Sequence, residues 1–214
     1  ASSDEEKVLY FAREKKGHEG VKGTVTEDFR GILVHDHEIT FYRYGSAHQE
    51  CLAHVERYLK DSMENESSLT WNRRMRELLQ RMIHYRKEHT GEASLDAQTV
   101  AGFETEYQEI LDKAKEEYKR NEPSPYYREG YNLYRRMQEY KTEHLLFLHD
   151  MRVPTTNNTA ERCLRDYKRK QTFAMTFRSL ESIEELCHSK GVLLEVRKNN
   201  PNIYTAVMEI FNRR

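Results

Sequence analysis

The residues between Val153 and Lys170, V-P-T-T-N-N-T-A-E-R-C-L-R-D-Y-K-R-K, combine types that could do chemistry on a phosphodiester. Glu161 opens a helical pattern, and Arg162, Arg165, Lys168, Arg169 and Lys170 follow on its next turns. A carboxylate with cations behind it suits a site that holds a divalent metal and a DNA backbone together. Pro154 and two threonines end the preceding segment, and Asn157 or Asn158 can cap the new helix. The same letters have a purely structural reading. Asn158 to Glu161 has capping-box spacing, and Glu161 and Arg165 are an ordinary i,i+4 pair on a solvated face.

Asp36 is a second candidate. It ends the apolar run Ile32-Leu33-Val34, between His35 and His37. A carboxylate at a strand end and another on a helix crossing the same sheet can converge although distant in sequence. Two-metal phosphodiester cleavage needs such convergence on cations about 3.5–4 Å apart. Carboxylate oxygens suit Mg²⁺, a hard cation. Alternatively, Asp36 is a turn residue beside two solvent-facing histidines. Cys51-Leu52-Ala53-His54 has the C-x-x-H spacing of half a zinc site, but no second half is evident; Cys187-His188 lacks ligand spacing. A buried structural Cys51/His54 pair is the expectation. An H-N-H nuclease centre around Asp36 lacks its Asn and its second His.

The elements that must position these residues are mostly helical. Lys7 to Ala12 reads as a short strand, followed by a glycine-bounded stretch and a short helix into Phe29. Gly31 to Tyr44 is rich in β-branched and aromatic residues and reads as a strand with a break at Asp36. A helix is expected from Ser46 to about Asp61. Apolar residues then recur at three- and four-residue steps from Trp71 to Tyr85, from Val100 to Tyr118, and from Leu133 through Tyr140 toward Leu148. This region reads as an all-helical insertion packed on itself. After Glu161 the helix is expected to run to about Lys170, with a turn over Phe173 to Phe177. A helix from Leu180 ending at Gly191 and a last one over Asn202 to Asn212 complete the pattern. The inward face of that last helix would be Ile203, Val207, Ile210 and Phe211.

Composition narrows the function classes. With 214 residues the chain holds one good core, or one domain with a sizeable insertion. Apolar residues make up only 37% and charged residues 33%, and no apolar run is long enough to span a bilayer. Three cysteines make no secreted disulfide framework, and the acidic N-terminus has no signal-peptide character, so a reducing cytoplasm is the default. A net charge of −1 means that any contact with nucleic acid must come from local basic surface. Candidates are the helix after Glu161, the Trp71 to Arg86 stretch, and Arg213-Arg214.

The motif N-N-x-A-E-R-x-L-R resembles the one carrying the last carboxylate of the insertion-sequence-66 family of bacterial DDE transposases. The resemblance extends to F-L-H-D-M-R-V-P before it, and to Lys170, Thr176-Phe177-Arg178-Ser179 and the S-K-G-V turn after it. G-I-L-V-H-D-H-E-I-T-F-Y resembles the family segment G-x-L-x-x-D-G-Y-x-x-Y, with Asp36 on the second Asp and His37 where the family usually has Gly. Cys51 to His54 resembles the C-W-A-H that follows, with Leu52 replacing Trp.

The resemblance implies an α/β, RNase H-like catalytic core, helix-rich overall, interrupted by a large all-helical insertion. Residues 1–64 and 149–214 would be the first and last parts of that core and 65–148 the insertion. Asp36 and Glu161 would bind two Mg²⁺ (or Mn²⁺) and be catalytic; Arg162, Arg165, Lys168, Arg169 and Lys170 would meet DNA, at transposon ends and target. A homo-oligomer when active and a cytoplasmic, nucleoid-associated bacterial protein are also implied. The family's first Asp has no counterpart, since Asp4 falls in a polar tail. The chain is therefore expected to begin inside the catalytic domain, lacking the first strands, and to be weak or inactive alone. The alternatives are a catalytically inactive DNA-binding or oligomerising remnant and a purely structural helical module.

Overall fold

The computed structural model describes residues 2–3, 8–174, 179–200 and 202–212, without the side chains at 2, 3, 8, 166–168, 170–174, 210 and 211. The chain divides into two compact units, one of residues 1–29 with 158–214, the other of residues 30–157.

The first unit opens with β1 (Ser2–Ser3) and β2 (Val8–Leu9), an antiparallel pair with Ser2 opposite Leu9. Two single-turn helices follow, α1 (His18–Val21) and α2 (Val25–Asp28).

The second unit begins with β3 (Ile32–His35), a 3-10 turn over Ile39–Arg43, and β4 (Ala47–Glu50). The strands run parallel, in a register that sets Ile32 against Ala47 and His35 against Glu50. The strand therefore stops at the expected break before Asp36. Beyond that point the expectation holds only in part: Ile39–Arg43 is a 3-10 turn, Ala47–Glu50 is a strand, and the helix expected from Ser46 starts at Leu52. The turn is nucleated locally, because the Glu38 carboxylate accepts from the Thr40 N–H (3.4 Å) and hydroxyl (2.9 Å). Gly45 adopts φ 75°, and a Cβ there would meet the Gly31 carbonyl oxygen at 2.8 Å, so only glycine fits between the strands.

Five helices complete this unit: α3 (Leu52–Asn65), α4 (Trp71–Glu88), α5 (Ala97–Arg120), α6 (Glu129–Glu139) and α7 (Lys141–His149). The stripes read from the sequence form the core. Trp71, Met75, Leu78, Leu79 and Met82 line one face of α4 and are all fully buried, and Tyr107, Ile110, Leu111 and Ala114 do the same on α5. Asp96 caps α5 by accepting from the Thr99 N–H at 2.7 Å. The third stripe is two helices, because Tyr140 leaves the helical region at φ −111°, ψ 36°. The helices do not pack on themselves alone: Leu52, Val55 and Leu59 of α3 share their core, and Ile32 and Val34 of β3 pack against it.

The first unit resumes with α8 (Asn158–Ala174), α9 (Leu180–Asn199) and α10 (Ile203–Asn212). Residues 175–178 of the expected turn lie outside the described residues, and Phe173 is still helical. Ser179 caps α9, accepting from the Ser182 N–H at 3.2 Å. The helix does not end at Gly191 but continues to Asn199; a helical glycine costs only about 1 kcal/mol, too little to stop it. Ala206 is the buried residue of α10, with Ile203 and Val207 half-buried; Ile210 and Phe211 are among the side chains not described. The small core gathers Tyr10, Ala12 and Cys187, with Cys163, Leu164, Ile183 and Leu194 partly buried around it. Among the described residues, no helix is long and apolar enough to cross a membrane.

Gly130 lets the start of α6 approach the end of α3 closely. A Cβ added there would strike the Glu66 carboxylate and come within 2.8 Å of Ser62 Oγ. Glu66 is pinned, accepting from Ser62 (2.8 Å) and from the Tyr118 hydroxyl (3.0 Å). Gly130→Ala would gain about 1 kcal/mol of helix propensity but overpack the site and expel a bonded carboxylate. A net loss of about 1–2 kcal/mol is expected, measured by urea denaturation.

Candidate functional site

Asp36 directly follows the last residue of β3 and is half-buried. Among the described residues its carboxylate has no hydrogen-bond partner. Its neighbours are fixed from both sides. His35 is buried, its carbonyl accepts from the Cys51 N–H at 2.7 Å, and its Nε2 lies 3.1 Å from His48 Nδ1. Burial holds the pKa of both His35 and His48 below the ordinary 6.5, so at neutral pH one uncharged ring donates to the other.

On the other side, His37 Nδ1 lies 2.6 Å from Glu50 Oε1. An ionised carboxylate can only accept, so the histidine donates. Glu50 is 1% exposed. It also accepts from the Tyr42 hydroxyl on the 3-10 turn. Arg136 Nε on α6 stands 3.6 Å from its other oxygen, and His144 Nε2 on α7 stands 3.2 Å away, an ion-pair distance with off-axis geometry. Burial pushes the Glu50 pKa up, but the contacts with His144, His37 and Tyr42 outweigh it and hold the group well below the usual carboxylate range. Burial, then Glu50 itself, raises Tyr42, which keeps its proton.

Behind this carboxylate, Gln49 joins β4 to α7. Its side-chain amide donates to the His144 carbonyl at 3.3 Å and accepts from the Phe147 N–H at 2.8 Å. The Tyr107 hydroxyl donates to the Met137 carbonyl (3.0 Å) and touches His144 Nδ1 (3.2 Å). The sequence analysis missed Glu50, Tyr42, Arg136 and His144. A usable signal was present: His144 falls one helical turn after Tyr140 on the stripe leading to Leu148, and Gln49-Glu50 are polar residues directly before the core residues Cys51 and Leu52.

Cys51 is buried at the start of α3, where the resemblance places it, and His54 is half-buried one turn on. Glu161 lies in the first turn of α8, half-buried, in the other unit from Asp36. Asn157 makes no cap: its Oδ1 is buried without a hydrogen-bond partner among the described residues. Arg162, Arg165 and Arg169 are exposed on α8, and the side chains of Lys168 and Lys170 lie outside the described residues, as do Asp4, Arg213 and Arg214. Among the described residues, no three His, Cys, Asp or Glu side chains cluster in a way that could hold a metal ion.

Asp36 thus directly follows the parallel strand β3, and the Asn-Asn-Thr-Ala-Glu-Arg segment opens α8. The model of the family described as Transposase IS66 family matches residues 1–185, and the chain belongs to that family. No curated protein and no solved structure matches it.

Removing the charge of Glu50 would leave Arg136 and His144 facing an uncharged group. Glu50→Gln is therefore expected to destabilise the fold by about 3–5 kcal/mol, read by urea denaturation at pH 7. The pH dependence has a defined sign. With its folded pKa below the ordinary 4.5, Glu50 stabilises above that pH, and the contribution is lost as pH falls through it. Denaturation across a pH series should show that acid-side loss shrinking in Glu50→Gln. The loss from His35 and His48, which begins near 6.5, should remain.

Proposed function

We propose that this chain supplies Asp36 and Glu161 as two of the three metal-binding carboxylates of a DDE transposase that cleaves transposon-end DNA and joins the strands to a target. The observation that carries the reading is Asp36: in a transposase-family chain, a half-buried acid at the end of a parallel strand holds its oxygens uncommitted among the described residues. Glu50, another acid nearby, is a poorer ligand because one oxygen already accepts from His37 and Tyr42 and the other faces Arg136 and His144. Oxygen donors fit Mg²⁺ or Mn²⁺. When bound, two such ions would supply Lewis-acid activation of the attacking oxygen and stabilisation of the leaving one.

The protein's own part is positional. The hydrogen bond from His37 to Glu50 fixes the backbone just after Asp36, and the Cys51 N–H fixes it just before. Arg162, Arg165 and Arg169, with Lys168 and Lys170, would line the DNA backbone along α8. The β3–β4 pair followed by α3 supports an RNase H-like core, with residues 1–64 and 149–214 as its two parts and 65–148 inserted between them. The active form is a homo-oligomer on DNA.

Mg²⁺-dependent nicking of end-sequence DNA by the full-length transposase is the test. Asp36→Asn and Glu161→Gln should each lower the rate by more than the ten- to hundredfold typical of residues that merely support a metal ligand. A rate equal to that of the unaltered protein would remove that residue from the mechanism. DNA affinity in EDTA with no metal-dependent nicking would leave DNA binding as the sole activity.

A further inference from the structure

Two clefts in the second unit meet along one side of α6. One, of about 530 Å³, is lined by His37, Tyr140, Arg128, Tyr131, Arg135 and Arg136, with Glu139 at its edge. The other, of about 500 Å³, shares Arg128, Tyr131 and Arg135 and continues to Lys115, with Glu122 on its wall. The shared residues recur at steps of three and four, so they form one helix face. The opposite face, Gly130, Leu133, Tyr134 and Met137, is buried in the core.

Lys60, Arg81 and Arg152 are each within ion-pair distance of a carboxylate, and so is Lys119, which lines the second cleft. Arg128 and Arg135 are exposed, and among the described residues neither has such a partner. Behind them, the Arg136 guanidinium lies over the Tyr58 ring at 4.9 Å, with Nε and Nη2 buried and lacking hydrogen-bond partners, so Glu50 at 3.6 Å answers its charge only in part. The surface is therefore a cationic trough with a tyrosine floor. The seven steps from Arg128 to Arg135 rise about 10.5 Å along the helix, close to the axial rise of three phosphates of one duplex strand at about 3.4 Å of duplex axis each.

We propose that this face of α6 is a second phosphodiester-binding site, in which Arg128 and Arg135 hold the backbone of duplex DNA while the trough runs on to His37, the residue after Asp36. The proposal rests on the DNA-acting reading above and adds a surface on the helical region, distinct from the basic residues of α8. Its main attraction is for backbone charge, since exposed guanidinium groups at this spacing meet phosphates, with Asn132 an uncharged polar side chain in the same cleft.

Fluorescence anisotropy of a labelled random-sequence duplex, titrated with the 214-residue chain in EDTA over a salt series, tests it. Arg128→Gln/Arg135→Gln should weaken binding about tenfold or more at low salt. It should also flatten the slope of log affinity against log salt by about 1.8, or about 0.9 for each lost phosphate contact. The control Lys60→Gln/Arg81→Gln removes the same charge from paired sites and should leave the slope unchanged. Equal slopes for the two double variants would overturn the site while leaving DNA binding through α8 intact, which Arg162→Gln/Arg165→Gln reads separately. If the unaltered chain binds no duplex, both this site and the DNA-acting reading fall. Displacement of DNA by polyglutamate at lower charge concentration than by unlabelled duplex would assign the trough to an acidic protein segment and overturn the proposal.

Discussion

A carboxylate with 1% of its surface exposed must be met from every side, and Glu50 is met from the loop after β3, the 3-10 turn, α6 and α7. The desolvation cost of such a group is several kcal/mol, and only well-placed partners offset it. Each partner comes from a different element, so the bonds around Glu50 are also constraints on where those elements lie. His37 fixes the loop, Tyr42 fixes the turn, and Arg136 and His144 fix the two helices that diverge at Tyr140. Replacing the set by apolar residues could be as stable, but it would lose the directional bonds that fix this arrangement.

The short sheet depends on that arrangement. Two strands of four residues are marginal alone in water and need packing on one face. Here β4 is held to α7 through Gln49, whose amide bonds the His144 carbonyl and the Phe147 N–H. On the other side, Ile32 and Val34 of β3 join the core built by α3, α4 and α5. The polar residues of β4 thus dock the strand, and the apolar residues of β3 anchor it. Asp36 inherits its position from both.

The helices α4 and α5 were legible because their fully buried residues recur at helical spacing and because Asp96 stands where a cap belongs. The end of β3 was legible for a similar reason: an apolar run gives way to His-Asp-His. Strand β4 was not, since Ala-His-Gln-Glu has neither alternation nor β-branched residues. Its strand character comes from the tertiary partners of Gln49 and Glu50, which no local pattern contains. The break at Tyr140 hid inside a continuous helical stripe, because the residues on both sides of it face the same core. Gly191 misled in the opposite direction: a glycine that can end a helix need not, when the residues beyond it continue helical. Asp36 and Glu161 stood out by motif, whereas Glu50 and its partners are joined only in three dimensions.

The substitution at position 37 links these levels. Where the related motif has Gly after its Asp, this chain has His37, and the ring bonds Glu50 instead of facing solvent. Glycine at that position would leave the backbone after Asp36 free to sample many conformations; a histidine bonded to a buried carboxylate removes most of that freedom. The two acids next to this loop therefore divide their work. Glu50 turns both oxygens toward protein partners and orders the loop, whereas the Asp36 carboxylate accepts no hydrogen bond among the described residues. That division follows from burial: a fully buried carboxylate without internal partners would be intolerable, whereas a half-buried one can remain hydrated until a ligand replaces its water.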